Sequence, residues 1–175
     1  MMTMMITTTG LANALTEEKS RFVAGLTGNQ EMRPVETNAS GSVSLIPMTS
    51  DKILYKLNVT DIVNVTNAEI DLGKQGQNGT VIVTLFRSGS PSSQVKGLFA
   101  QGNITSSNLR GPLEGKQLAE LVRIMSNGNT YVNVQTRYNP SGEVRGQIGL
   151  EGIDESGTML GENKEKSQPL ETEVG

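Results

Sequence analysis

Two carboxylates, Glu69 and Asp71, stand two positions apart in the alternating stretch NAEIDL. Residues i and i+2 of a β-strand face the same side, about 7 Å apart at Cα, so both side chains could reach one ion or one substrate. Their hard oxygen atoms suit Ca²⁺, Mg²⁺ or Mn²⁺, and a pair of carboxyl groups is also the machinery of a glycosidase. The same alternation is typical of a solvated strand face. We favour the solvated face, because no Ca²⁺-loop motif surrounds the pair.

Enzymatic chemistry is constrained by the residue types that the chain lacks. The 175-residue sequence contains no Cys and no His, which excludes Cys nucleophiles, His general bases and Ser-His-Asp triads. A saccharide cleft needs aromatic side chains that stack on sugars, yet there is no Trp and only three Tyr and three Phe. We therefore predict that the protein is not an enzyme and has no catalytic cofactor.

The charge and length of the chain narrow the kind of partner. The formal net charge is -3 at pH 7, and Lys and Arg are scattered rather than clustered. A protein that binds the phosphate backbone would carry a basic patch, so we expect no nucleic-acid partner. The length suits one domain with a sizeable core, and the expected interactions are with a protein partner or with further copies of the chain.

Short alternating or apolar runs, separated by Gly, Asn, Ser and Pro, fill the chain between residues 21 and 148. This pattern predicts an all-β, antiparallel β-sandwich or barrel-like fold. The segment Asn139-Pro140-Ser141-Gly142 has the composition of a hairpin loop. The predicted strands are RFVAGL, GSVSLI, KILYKLNVT, NAEIDL, TVIVTLF, VKGLFAQGNI, TYVNVQT and EVRGQI.

One segment, GKQLAELVRIMSNGN, has a helical rather than an alternating period. Leu118, Leu121, Val122 and Met125 recur at the spacing of one helix face, and Gly128 stands where a helix C-terminal glycine would. We predict one short helix that closes the β domain.

Both ends of the chain differ in composition from the middle. Residues 1–20 begin without charge and contain Ala12-Asn13-Ala14, which has the small-x-small form of a signal-peptidase site. Because of this motif, we predict export to the cell surface or the exterior. The leader is too short and too rich in Thr to span a bilayer, so we predict no membrane span. Residues 151–175 are acidic and non-periodic, and we expect a flexible tail. Either end could add a strand to a neighbouring copy.

Four sequence blocks, in this order, resemble the chordin-type (CHRD) domain of secreted microbial and animal proteins. They are FVAGLTGNQEMRPVET, NAEIDLGKQGQNGTVIVTLF, GPLEGKQLAELVRIMSNGNTYVNVQT and NPSGEVRGQI, and together they extend over nearly all of residues 22–148. The chain is similar to the microbial single-domain type, with the domain at 21–150 between leader and tail.

The resemblance implies an all-β extracellular module with the general architecture of Cu/Zn superoxide dismutase. No enzymatic activity is established for the domain as a class. The function implied is a non-catalytic binding or structural module at the cell surface or outside the cell. Two alternatives stay open: a protein that binds a hard divalent metal, and an extracellular subunit that self-assembles by strand addition.

The chain departs from the family pattern at three positions. Typical microbial members carry His where this chain has Glu69, Asp71 and Gln135. A His-x-His pair with a third His is similar to the metal face of Cu/Zn superoxide dismutase, so these replacements remove ligands suited to copper or zinc. Glu69, Asp71 and Gln135 would instead suit Ca²⁺, Mg²⁺ or Mn²⁺.

A second set of polar residues lies on the last two predicted strands. Glu143 and Arg145 alternate with apolar residues, and pairing through the hairpin loop would place them across from Asn133 and Gln135. We predict that Asn133, Glu143 and Arg145 form a binding or structural polar face. In it, an Arg–carboxylate network would hold the strands in register.

Overall fold

The structure, a computed structural model, describes residues 20–88 and 95–151. Within these ranges the chain forms nine β-strands and one α-helix, with short 3₁₀ turns in the connections. The strands are β1 (Phe22–Thr27), β2 (Ser40–Thr49), β3 (Lys52–Ile62), β4 (Val65–Leu72), β5 (Thr80–Arg87), β6 (Val95–Ile104), β7 (Thr130–Thr136), β8 (Val144–Gln147) and β9 (Gly149–Leu150), and the helix is α1 (Leu118–Ser126).

The strands form one antiparallel sheet that curls into a nearly closed barrel. Its hydrogen-bonded order is β5-β4-β7-β8-β1-β2-β3-β6, and the short β9 also pairs with β1. The two end strands approach each other: the rings of Phe86 and Phe99 make an edge-to-face contact with centroids 4.5 Å apart. Tyr55 Oη donates to the carbonyl oxygen of Leu85 at 2.7 Å. The predicted all-β architecture with one short helix is confirmed.

Alternation along each strand fills the barrel interior with apolar side chains. Phe22, Leu45, Leu57 and Ile70 are fully buried there, as the period of two requires for a strand with one inward face. Burying such side chains stabilises the fold by about 1.5–3 kcal/mol each. Because the inward side chains form this apolar core, the polar residues of β4, β7 and β8 that could form a site face outward.

Helix α1 lies between β6 and β7 in the chain and contributes Leu118, Leu121 and Met125 to the core. Its first residue and its apolar spacing agree with the helical period in the sequence. Gly128 follows with φ 63°, and its N–H donates to the carbonyl oxygen of Met125 at 3.0 Å. The predicted helix and its C-terminal glycine are confirmed.

The loop from Asn139 to Gly142 joins β7 to β8 as a hairpin, as its composition predicts. Gly142 N–H donates to the carbonyl oxygen of Asn139 at 3.1 Å. Gly142 has φ 140°, a backbone conformation that residues with a side chain rarely adopt. This hairpin sets the β7–β8 register, in which Asn133 pairs with Arg145. The predicted cross-strand neighbourhood of these two residues is confirmed.

The predicted leader and tail lie outside the described residues, apart from Ser20 and Glu151. The signal peptide, the flexibility of the tail and strand addition by either end therefore stay predictions. In the part of the chain that is described, no helix has the length and apolar character needed to cross a membrane.

Candidate functional site

The outer face of β4 and β7 is buried beneath a connecting segment. Glu69 and Asp71 each expose only 4% of their surface, so the interpretation of this pair as a solvated face is wrong. The connection between β4 and β5 folds back across the face: Gly79 N–H donates to Tyr131 Oη at 3.0 Å, and Arg145 donates to the carbonyl oxygen of Gln77 at 2.6 Å. The alternation of apolar and polar residues shows that the two faces of a strand differ, but it does not show whether a loop distant in sequence covers the polar face.

Glu69 and Gln135 are brought together, as predicted, through the pairing of β4 with β7. Gln135 Nε2 donates to Glu69 Oε2 at 3.2 Å, and Arg87 Nη2 lies 3.7 Å from Glu69 Oε1. Gln135 Oε1 accepts a hydrogen bond from Asn67 Nδ2 at 3.0 Å. The side-chain oxygens of these two predicted ligands are therefore already engaged with protein donors.

Asp71 differs from its neighbour because one of its oxygens is unsatisfied. It pairs in register with Tyr131, whose hydroxyl forms a hydrogen bond with its carboxylate. The other oxygen, Oδ1, is buried and has no hydrogen-bond partner. Burial and, to a smaller extent, the nearby charge of Glu69 together raise the pKa of Asp71 to about 6.

Asn133 presents a second unsatisfied oxygen on the same face. Its Nδ2 donates to the carbonyl oxygen of Ser141 at 2.9 Å, which fixes the orientation of the amide. Asn133 Oδ1 therefore points away from that carbonyl, and it is buried without a partner. The side chain is 7% exposed. A buried acceptor of this kind costs about 1–3 kcal/mol unless a donor or a cation satisfies it.

Glu31 is the residue that sequence reasoning missed. It follows the 3₁₀ turn Gly28–Gln30, and its Oε1 is buried without a partner. A Cβ atom added at Gly142 would collide with both Glu31 Oε1 and Asn133 Oδ1, so these two oxygens lie beside the same glycine. Burial raises the pKa of Glu31 to about 7, although Arg145 acts to lower it and Asp71 to raise it. Its place in the first CHRD-like block was the only sequence signal for it.

Arg145 is almost fully buried, with 2% of its surface exposed. Its Cζ lies 3.4 Å from the centroid of the Tyr131 ring, and it donates to the carbonyl oxygens of Gln77 at 2.6 Å and Lys74 at 3.4 Å. Across the described ranges it forms no ion pair with an acidic side chain. The predicted Arg–carboxylate network is therefore wrong, because carbonyl groups of the β4–β5 connection accept the hydrogen bonds of this guanidinium.

Glu143 joins two connections instead of pairing with a cation. Its carboxylate accepts hydrogen bonds from Thr37 Oγ1 at 2.9 Å, Thr136 Oγ1 at 2.7 Å and Asn139 Nδ2 at 3.3 Å. Thr37 belongs to the connection between β1 and β2, whereas Asn139 belongs to the hairpin after β7. The position of Glu143 is thus structural: it ties the β1–β2 connection to the hairpin.

The ligand types on this face limit the ions it could bind. In residues 20–88 and 95–151, no three or more acidic side chains lie close enough together to hold a metal ion. Any cation on this face would need amide or carbonyl oxygens besides carboxylates, and such an oxygen-only set suits hard ions. The trio Glu69, Asp71 and Gln135 contributes a single unengaged oxygen of this kind, Asp71 Oδ1.

Comparison with known proteins gives a family but no individual relative. The family model of the CHRD domain matches residues 22–148. No curated protein and no solved structure matches the chain. The matched range begins at the first residue of β1 and ends at Ile148, directly after β8, so it contains the whole barrel apart from β9. CHRD is a family of non-enzymatic binding or structural domains that occur in extracellular proteins. The match covers most of the sequence, and the chain belongs to the CHRD domain family.

Proposed function

We propose that this protein is an exported CHRD domain that acts as a non-catalytic binding or structural module at the cell surface or outside the cell. Family membership supports the module, and the Ala12-Asn13-Ala14 leader motif supports export. The observation that carries the proposal is the use of buried polar side chains to fasten connecting segments to the barrel. Such fastening yields a rigid, preorganised surface, which favours binding because less conformational entropy is lost.

Two connections are held in this way. Glu143 accepts a hydrogen bond from Thr37 in the β1–β2 connection. Arg145 and Gln147 donate to carbonyl oxygens of the β4–β5 connection, at Gln77 and Gly73 respectively. Because these groups are occupied in holding the scaffold, they support a structural role for the polar face of Asn133, Glu143 and Arg145 better than a catalytic one.

Export can be tested with the full chain in the cells that produce it. We expect the mature protein to leave the cytoplasm with a new N-terminus after Ala14, identified by mass spectrometry of the secreted or envelope fraction. Ala14→Leu should block processing because signal peptidase needs a small residue there, whereas Asn13→Gln, at the unrestricted middle position, is the matched control. Unprocessed protein confined to the cytoplasm for all three chains would contradict the proposal.

A second candidate function is hard-cation binding, and the unpartnered, buried Asp71 Oδ1 is the observation that favours it. The test is thermal unfolding of chelator-treated protein titrated separately with Ca²⁺, Mg²⁺, Mn²⁺, Zn²⁺ and Cu²⁺. An ion at about a hundred times its Kd should stabilise the fold by about 2.7 kcal/mol. The rise should be absent from the Glu69→Gln/Asp71→Asn double variant. If no ion raises the Tm, this candidate is rejected and the structural module stands alone.

A further inference from the structure

Several side-chain oxygens in the described residues are buried without a hydrogen-bond partner, and three of them lie on the part of the outer face around Gly142 and Tyr131: Glu31 Oε1, Asp71 Oδ1 and Asn133 Oδ1. All three are acceptors, since the Asn133 amide is oriented by its donation to Ser141. They come from three separate segments, which are the residue after a 3₁₀ turn, strand β4 and strand β7. Buried acceptors without donors are rare, and each calls for a proton or a cation that satisfies it.

The positions of these oxygens relative to one another are set by the sheet and the hairpin. Glu31 Oε1 and Asn133 Oδ1 both border the bare Cα of Gly142, where a Cβ would collide with each of them. Asp71 pairs in register with Tyr131, the next outward residue from Asn133 on β7. Asp71 also lies close enough to Glu31 for its charge to contribute to the raised pKa of Glu31. The three side chains therefore form one neighbourhood, despite their distance in sequence.

The charge of this neighbourhood is not balanced by contact with a basic group. Two carboxyl groups face it, whereas the nearest guanidinium, that of Arg145, is stacked on Tyr131 and donates to backbone carbonyls. The charge of Arg145 lowers the pKa of both groups, but desolvation outweighs this attraction, so the pKa values of Glu31 and Asp71 are raised to about 7 and about 6. A bound cation would relieve this desolvation penalty and would compete with the proton.

We propose that Glu31 Oε1, Asp71 Oδ1 and Asn133 Oδ1 bind one hard divalent cation. The proposal rests on the cation binding put forward above and changes its ligand set, because Glu69 and Gln135 already use their oxygens within the protein. Three protein oxygens leave room for water, as Mg²⁺ prefers, or for the larger shell of Ca²⁺. The ion would link the β1–β2 connection to β4 and β7.

The test compares single variants of the full chain in chelator and then in CaCl₂, MgCl₂ or MnCl₂, with Tm and calorimetric titration as readouts. At an ion concentration about a hundred times Kd, the wild type should gain roughly 5–10 °C in Tm with at least one ion. Glu31→Gln and Asp71→Asn should abolish this gain. Both variants remove a buried charge with little change in size, so their Tm in chelator should not fall. Glu69→Gln is the matched control and should keep the gain.

Each other outcome overturns the proposal in a distinct way. If Glu31→Gln keeps the gain in Tm and Glu69→Gln loses it, the ion is bound by Glu69, Asp71 and Gln135. Cation binding would then stand, but the ligand set proposed here would be wrong. A gain of equal size in all variants would place the ion elsewhere on the protein. If no ion changes the Tm, both this proposal and cation binding are rejected, and a stability that then depends on pH would show that protons rather than a cation neutralise the carboxylates.

Discussion

Arg145 Cζ lies 3.4 Å from the centroid of the Tyr131 ring, and the hydroxyl of that ring accepts the N–H of Gly79 at 3.0 Å. The same guanidinium donates to the carbonyl oxygen of Gln77 at 2.6 Å. The two side chains therefore hold the β4–β5 connection from neighbouring strands, β7 and β8. This connection lies over the end of the outer face where Asp71 is buried, so the stack helps to keep Asp71 out of water.

Replacing the guanidinium should cost much of the stability of the domain. Arg145→Met keeps the length of the side chain but loses the donations to the Lys74 and Gln77 carbonyls and the cation–π contact. We expect the free energy of unfolding at pH 7 to fall by about 3–4 kcal/mol, measured by urea denaturation. Arg123→Met removes a solvent-exposed ion pair with Glu120 and should cost far less stability, because water and salt screen such a pair. Equal effects for the two variants would show that Arg145 does not hold the β4–β5 connection.

Stability should fall as pH rises through the window set by Glu31 and Asp71. Their pKa values in the folded protein are about 7 and about 6, above the unfolded values of 4.5 and 3.8, so between about pH 4 and 7 the native state binds more protons than the unfolded state. The free energy of unfolding must therefore decrease with pH across this range and level off above about pH 7.

The measurement is the urea midpoint from pH 4.5 to 8.5 with chelator present. Glu31→Gln should flatten the upper part of the profile, and adding Asp71→Asn should flatten the rest. Exposed Glu36→Gln is the control and should follow the wild type. A double variant that keeps the full slope would assign the pH dependence to other groups.

Gly142 should tolerate no side chain. It has φ 140°, and a Cβ there would collide with Asn133 Oδ1 and Glu31 Oε1. Gly142→Ala combines backbone strain with overpacking and should reduce the free energy of unfolding by about 1–3 kcal/mol. Gly25→Ala provides the comparison, because a Cβ at that exposed strand position meets no atom within 4 Å. We expect its stability to stay within about 0.5 kcal/mol of the wild type. The two variants would be measured together by chemical denaturation.

Glu143 should couple energetically to Thr37. The hydrogen bond between Thr37 Oγ1 and Glu143 Oε1, at 2.9 Å, ties the β1–β2 connection to the hairpin. Thr37→Val removes this donor alone and Glu143→Gln exchanges one acceptor for a donor, so each should cost about 1–3 kcal/mol. In a double-mutant cycle the pair should cost less than the sum of the single changes, by about 1 kcal/mol. Simple additivity would mean that the bond contributes nothing to stability.

Local elements could be predicted from the sequence because short-range periodicity determines them. The run NAEIDL lies within β4, and TYVNVQT coincides with β7. The turn from Asn139 to Gly142 was recognisable from its composition, and the strands that it connects pair with Asn133 opposite Arg145. The family was likewise recognisable from four ordered blocks and is confirmed by the match over residues 22–148.

The candidate site depends on contacts that have no local signature. Nothing about the turn after β1 predicts that Glu31 lies beside Gly142, since two connections must fold over the same strands to bring them together. For the same reason Glu69 and Asp71 look alike in sequence, yet the oxygens of Glu69 have protein partners whereas one oxygen of Asp71 has none.

By itself the sequence determined the class of fold, the approximate positions of β1 to β8, the inward faces and the absence of the Cys and His that common catalytic sites use, because composition and periodicity carry that information. Only the tertiary structure decided whether the outer face of β4 and β7 is exposed to solvent or buried. Burial there depends on the packing of distant connections over the sheet, and desolvation by that packing is what turns two ordinary carboxylates, Glu31 and Asp71, into groups with raised pKa values.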